Sequence, residues 1–182
     1  PGVFMTDPKE PNFFSDDDIY AKGIDWYQSL FADAPKGDLM GEASTHYTKA
    51  PTYPDCLDRM KAALDRPKLI YMIRNPIDRM VSQYVHEWTM GAVSGDIDQE
   101  IDDNLIYRAY SRYPDQIAPF VDWVGAENIF ITSQERLRKD GPAELAAVAS
   151  FLGLPAPTWR EEAAEMNVSA ARIRRFPGYD LL

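Results

Sequence analysis

The stretch from Lys68 to His86, KLIYMIRNPIDRMVSQYVH, constrains the fold of this 182-residue chain more than any other. Leu69-Ile70-Tyr71-Met72-Ile73 is a short apolar run of the kind that forms a strand buried in a parallel sheet. Arg74 stands where that run stops. Asn75 then offers a helix N-cap, and Pro76 suits the first helical position because its missing N–H costs nothing there. A helical pattern follows, with Ile77, Met80, Val81, Tyr84 and Trp88 on one face at three- and four-residue spacing. Asn75, Arg79, Ser82 and His86 share another face at steps of four, three and four. Strand, arginine, helix N-terminus and polar stripe together suit an anion at the carboxyl edge of a parallel sheet. The competing reading is local: the arginine caps a loop and Ser82 is a solvated helix residue.

The remaining elements alternate in the α/β manner. Val3-Phe4-Met5 reads as a strand ending at Thr6-Asp7-Pro8, and Leu39-Met40 as a second strand leading into Glu42. Ser15 with Asp16, Asp17 and Asp18 makes an acidic helix start, which predicts a helix to about Phe31. Further helices are predicted over 55–64, 113–124 and 142–152, with a strand over 128–132. Gly91 to Asp98 reads as a loop, a candidate mobile segment over a cleft. The tail beyond Pro157 holds a basic cluster, Arg172-Ile173-Arg174-Arg175, and a glycosylation-type sequon, Asn167-Val168-Ser169.

Charge and composition narrow the partners. A formal net charge of −10 repels nucleic acid and densely sulfated polysaccharide alike, unless a local basic cleft overcomes it. Hydrophobic content of 45% fits one globular domain over 1–182. No run is long enough to cross a bilayer, and no signal-peptide pattern is visible. The lone Cys56 has no partner for an internal disulfide and favours a reducing, cytoplasmic compartment, with a leader or anchor ahead of Pro1 left open. Two histidines and one cysteine are poor material for a zinc site.

The run Arg74-Asn75-Pro76-x-x-Arg79-x-x-Ser82-x-Tyr84-x-His86 resembles the 3′-phosphate-binding segment of sulfotransferases that use 3′-phosphoadenosine-5′-phosphosulfate (PAPS). A second block, Lys9-Glu10-Pro11-Asn12-Phe13-Phe14 with Lys22-Gly23-Ile24-Asp25-Trp26-Tyr27 and Phe31, is similar to a segment of the heparan sulfate sulfotransferase-like branch and its bacterial relatives. Gly41-Glu42-Ala43-Ser44-Thr45-His46-Tyr47 resembles a third segment of that branch. Phe151-Leu152-Gly153-Leu154-Pro155 extends the likeness weakly, so it spans most of the chain.

The resemblance implies a P-loop NTPase-like, three-layer α/β fold, with a central parallel sheet flanked by helices. It implies PAPS as donor and 3′-phosphoadenosine-5′-phosphate (PAP) as product, with no metal. Arg74 and Ser82 would hold the 3′-phosphate. Glu10, which the neighbouring proline and two phenylalanines are expected to desolvate in part, would act as base. Lys9 would steady the donor sulfate and His86 would assist, while His46 is the competing base. Trp26 and Tyr47 would line an acceptor cleft or pack as core. Glu42 and Ser44 would orient the acceptor or satisfy buried backbone groups. The acceptor would be a hydroxyl or amine of a carbohydrate or small molecule.

Two departures bear on this reading. The family's lysine-bearing glycine-rich loop lies several tens of residues ahead of the position of Glu10, where this sequence has nine residues. The family's basic, glycine-containing closing loop is not evident after Arg175. The expectation is a chain truncated at its N-terminus and perhaps at its C-terminus. The alternative is a catalytically inactive nucleotide-binding or interaction module on the same fold. A kinase-like phosphotransferase ranks third, since no Walker loop accompanies a magnesium-binding aspartate.

Overall fold

The computed structural model describes residues 2–155, 157 and 158. The basic cluster Arg172 to Arg175 and the sequon at Asn167 lie outside the described residues. Strand β1 (Val3–Met5) pairs in parallel with β2 (Leu39–Gly41), in the register Val3↔Leu39. Helices α1 (Asp17–Tyr20) and α2 (Ile24–Ser29) lie between them in sequence. After α3 (Cys56–Ala63), β3 (Leu69–Ile73) leads into the long helix α4 (Pro76–Thr89). Three helices follow: α5 (Ile97–Asp103), α6 (Leu105–Ser111) and α7 (Tyr113–Val124). Strand β4 (Ile129–Ser133) then pairs in parallel with β3, Leu69↔Ile129 through Ile73↔Ser133. Helices α8 (Gln134–Lys139) and α9 (Gly141–Leu152) close the described chain. The parallel pairing expected of an α/β fold is present, organised among the described residues as two strand pairs.

Two sequence expectations need correction. The single helix predicted from Ser15 to Phe31 is two helices, because Gly23 sits at φ 83° and breaks the ladder. Its cap is Asp16, whose Oδ1 accepts from the Ile19 N–H at 2.9 Å; Ser15 is buried and its hydroxyl donates to the Asn12 carbonyl instead. Strand β3 is not buried on both faces. Leu69, Tyr71 and Ile73 are half-buried, whereas Ile70 and Met72 are 46% and 54% exposed. The apolar face of α4 is likewise incompletely covered, Ile77 being 64% exposed.

The core explains why the N-terminal third folds as it does. Phe13 and Phe14 are fully buried with Tyr27, Cys56, Met60, Ile117 and Phe120. Phe13 stacks on Tyr27 at 4.7 Å between ring centroids and meets Phe14 edge-on at 5.0 Å. The two phenylalanines therefore anchor the loop that carries Lys9 and Glu10 onto the α3–α7 packing. Burial pushes the Cys56 thiol up to about 12, so it packs as an inert small hydrophobe.

Candidate functional site

The loop from Lys9 to Ser15 is held in an unusual backbone. Glu10 and Asn12 both adopt left-handed φ, 53° and 52°, on either side of Pro11. Such a conformation costs a residue with a Cβ about 1–2 kcal/mol, so something must hold it. The Asn12 N–H donates to Ser44 Oγ at 3.0 Å, and its Nδ2 donates to the Glu10 carbonyl at 3.1 Å. Its own carbonyl accepts from the N–H groups of Ser15 and Asp16. Burial of the two phenylalanines beside it supplies the rest. The outcome is a half-buried Glu10 whose Oε2 accepts from Thr45 Oγ1 at 3.3 Å.

Behind that loop lies Glu42, just past the end of β2. Three hydroxyls donate to its carboxylate: Tyr47 at 2.5 Å, Ser44 at 2.8 Å and Tyr27 at 3.4 Å. Burial pushes the Glu42 carboxyl above its usual range while the three donors pull it back. Burial, reinforced by the Glu42 charge, pushes both phenols upward, so they remain donors. Ser44 links the two loops, since it donates to Glu42 and accepts from Asn12. Of the expected acceptor residues, Glu42, Ser44 and Tyr47 thus act on the loop of Glu10. Trp26 packs 5.9 Å from Phe13 with Lys22 over its ring, in the aromatic cluster.

His46 stacks on Tyr53 at 4.6 Å with an interplanar angle of 16°. Burial, then the nearby Lys49 charge, lowers its pKa, and Glu10 and Asp16 oppose that. The net effect favours the neutral imidazole, the form that accepts a proton. Lys49, itself lowered by burial, is coupled to Glu10 on one side and to Arg79 and Glu87 on the other. Lys9 is exposed at the loop's outer edge. An open cleft beside this region is lined by Asp16, Asp17, Asp18, Tyr53, Asp55 and Arg59.

The second half of the site is the junction of β3 and α4. Asn75 caps the helix as its sequence position suggests, its Oδ1 accepting from Ile77 N at 2.9 Å and Asp78 N at 3.3 Å. Arg74 is half-buried; its N–H reaches the Tyr113 hydroxyl at 3.4 Å, and its Nε is buried with no hydrogen-bond partner among the described residues. An orphaned buried donor costs about 1–3 kcal/mol, which an incoming anion would remove. Arg79 is different. Its Nε donates to Ser111 Oγ at 2.5 Å, Nη1 to Gln83 Oε1 at 2.8 Å and Nη2 to the Tyr107 carbonyl at 2.6 Å. That guanidinium is spent on fastening α4 to α6. Ser82 is half-buried further along α4, and His86 lies exposed one turn beyond it.

A family model described as "Sulfotransferase domain" matches residues 4–176. The chain belongs to the sulfotransferase domain family. Among curated proteins this sulfotransferase-family chain is similar to heparan sulfate glucosamine 3-O-sulfotransferase 3B1 of Mus musculus, 28% identical over 159 residues, covering 80% of this chain and 38% of that protein. It is also similar to the human bifunctional heparan sulfate N-deacetylase/N-sulfotransferase 2, 26% identical over 80% of this chain and 18% of that protein. The chain thus spans less than half the length of these curated relatives. The sulfotransferase structure from Alicyclobacillus acidocaldarius superposes with a TM-score of 0.75 at 24% identity, covering 92% of this chain and 77% of that one. That likeness establishes the α/β fold of the family.

Three residues beside the candidate site were not read from the sequence. Thr45 donates to Glu10, Lys49 feels the charges of Glu10, Arg79 and Glu87, and Glu135 accepts from the Asn75 N–H at 2.7 Å. Thr45 sits inside a block singled out for its neighbours. Glu135 had no local signal, for it reaches Asn75 only through the β3–β4 pairing. The loop read over Gly91 to Asp98 ends earlier, since Ile97 and Asp98 open α5, and the Tyr84 hydroxyl of α4 donates to its Gly95 carbonyl at 2.5 Å.

Proposed function

We propose that this chain carries the base and the 3′-phosphate half of a sulfotransferase that moves a sulfuryl group from PAPS to a hydroxyl or amine. The observation that carries the reading is the orphaned Arg74 Nε beside the capped N-terminus of α4, at the carboxyl end of a parallel strand. The 3′-phosphate would accept from Arg74, with Ser82 as second contact. PAPS supplies an activated sulfuryl group with PAP as leaving group. The acceptor proton would pass to Glu10 as the new S–O or S–N bond forms and the bond to PAP breaks. Lys9 and Lys49 would offset negative charge near the transferring group, with His86 assisting, and no metal enters the scheme.

The acceptor reading follows from charge. A net charge of −10 and a cleft walled by Asp16, Asp17, Asp18 and Asp55 favour a neutral or lightly charged carbohydrate or small molecule over a dense polyanion or a nucleic acid. Among the described residues no helix is long and apolar enough to cross a membrane. The buried, unpaired Cys56 supports a cytoplasmic setting.

Calorimetric titration of the protein with PAP and with ADP tests the nucleotide half. PAP is expected to bind at least tenfold more tightly than ADP, and Arg74→Ala to remove about 10- to 100-fold of the PAP affinity. Equal binding of both nucleotides, or none of either, would sink this reading and leave a non-catalytic module in its place.

A further inference from the structure

The N–H groups that could greet an anion at the start of α4 are already taken. Asn75 Oδ1 holds those of Ile77 and Asp78, and the Arg79 N–H bonds to the Asn75 carbonyl at 2.9 Å. The remaining one, on Asn75 itself, donates to Glu135 Oε1 at 2.7 Å. Glu135 stands in the first turn of α8, two residues after Ser133, which is the register partner of Ile73. Its carboxylate also feels the positive charge of Arg74. A single side chain is thereby placed against both residues of the turn that ends β3. The Arg74 Nε, by contrast, has no hydrogen-bond partner among the described residues.

We propose that Glu135 is a positioning residue for the anion site: its hydrogen bond to Asn75 fixes the β3–α4 turn so that Arg74 projects toward the ligand. This inference rests on the nucleotide reading given above. It separates two effects of one carboxylate. The hydrogen bond helps the site by holding the turn, while the negative charge beside Arg74 opposes an incoming phosphate. Glutamine keeps an acceptor oxygen and loses the charge; alanine loses both.

The test measures PAP and ADP affinity by calorimetry, and Asn75 amide exchange by NMR, in the parent protein, Glu135→Gln and Glu135→Ala. Glu135→Ala is expected to weaken PAP binding about tenfold, leave ADP binding unchanged and speed exchange of the Asn75 amide. Glu135→Gln is expected to keep that amide protected and to tighten PAP binding roughly threefold, an advantage that fades with salt. Matching thermal midpoints for all three proteins belong to the expected result, and a loss confined to a variant that melts early counts against it. Unchanged PAP binding in the alanine variant, or equal behaviour of the two variants, overturns the inference while parent binding keeps the nucleotide reading standing. Absence of PAP binding by the parent overturns both.

Discussion

Replacing Glu10 with glutamine is expected to lower sulfuryl transfer by about 10²–10⁴-fold, the usual worth of a positioned general base, while PAP affinity stays within about twofold. Glutamine keeps the shape and an oxygen for the Thr45 hydroxyl, so the loop is retained and only proton acceptance is lost. The left-handed backbone at Glu10 and Asn12 gives independent reason to look here, because strain of this kind persists where surrounding contacts over-determine it. Single-turnover transfer to an accepted hydroxyl compound reads the effect. The companion variant is His46→Ala. Burial lowers the His46 pKa and Glu10 lies within its electrostatic reach, so this imidazole is the competing candidate for the role. Full activity in Glu10→Gln with loss in His46→Ala would transfer the base assignment to the histidine.

Phe13→Ala carries the largest expected stability cost, about 3–5 kcal/mol, measurable by urea unfolding. The ring is fully buried and meets Phe14, Tyr20, Trp26 and Tyr27, so its removal leaves a cavity walled by large aromatics that cannot collapse easily. The same change is expected to lower catalysis, because Phe13 directly follows the strained Asn12 and pins it. Phe31→Ala, at the periphery of the same cluster and half-buried, is the comparison, and it should cost clearly less. Equal costs at the two positions would mean that the cluster does not carry the loop.

Much of the local chemistry around β3 and α4 was legible in the sequence. The Asn75 cap, the proline after it and the strand ahead of Arg74 are local chemistry, and each stands where the pattern placed it. So does the glycine stop of α9, Gly153 at φ 75°. Helix α5 escaped because IDQEIDD carries only two apolar residues, and α6 because LIYRAYS is a single short stretch; they start from the side-chain caps of Asp96 and Asn104, and α6 buries Tyr107. The break at Gly23 was missed because a glycine inside a helical pattern is tolerated as often as it interrupts. Exposure of Ile70 and Met72 could not be read from an apolar run, since pattern alone does not say what covers each face of a strand. At the candidate site, Glu10, Glu42, Ser44 and Tyr47 were singled out through their motif blocks, and the structure places them close together. Their joint hydrogen-bond network, and the parts played by Lys49 and Glu135, are tertiary facts with no linear signature.

The two halves of the site differ in how far apart their contacts lie along the chain. The ties between Glu10 or Asn12 and the Ser44–Thr45 loop span 32 and 35 residues, and Glu42 meets Tyr47 across five. The brace between Asn75 and Glu135 spans 60. Longer loops cost more entropy to close and close later. As the chain folds, the hydrogen bonds around Glu10 can close within the first 50 or so residues, while burial of Phe13 and Phe14 is completed only when α7 brings Ile117 and Phe120. The brace at the β3–α4 turn waits for the chain to reach β4 and α8.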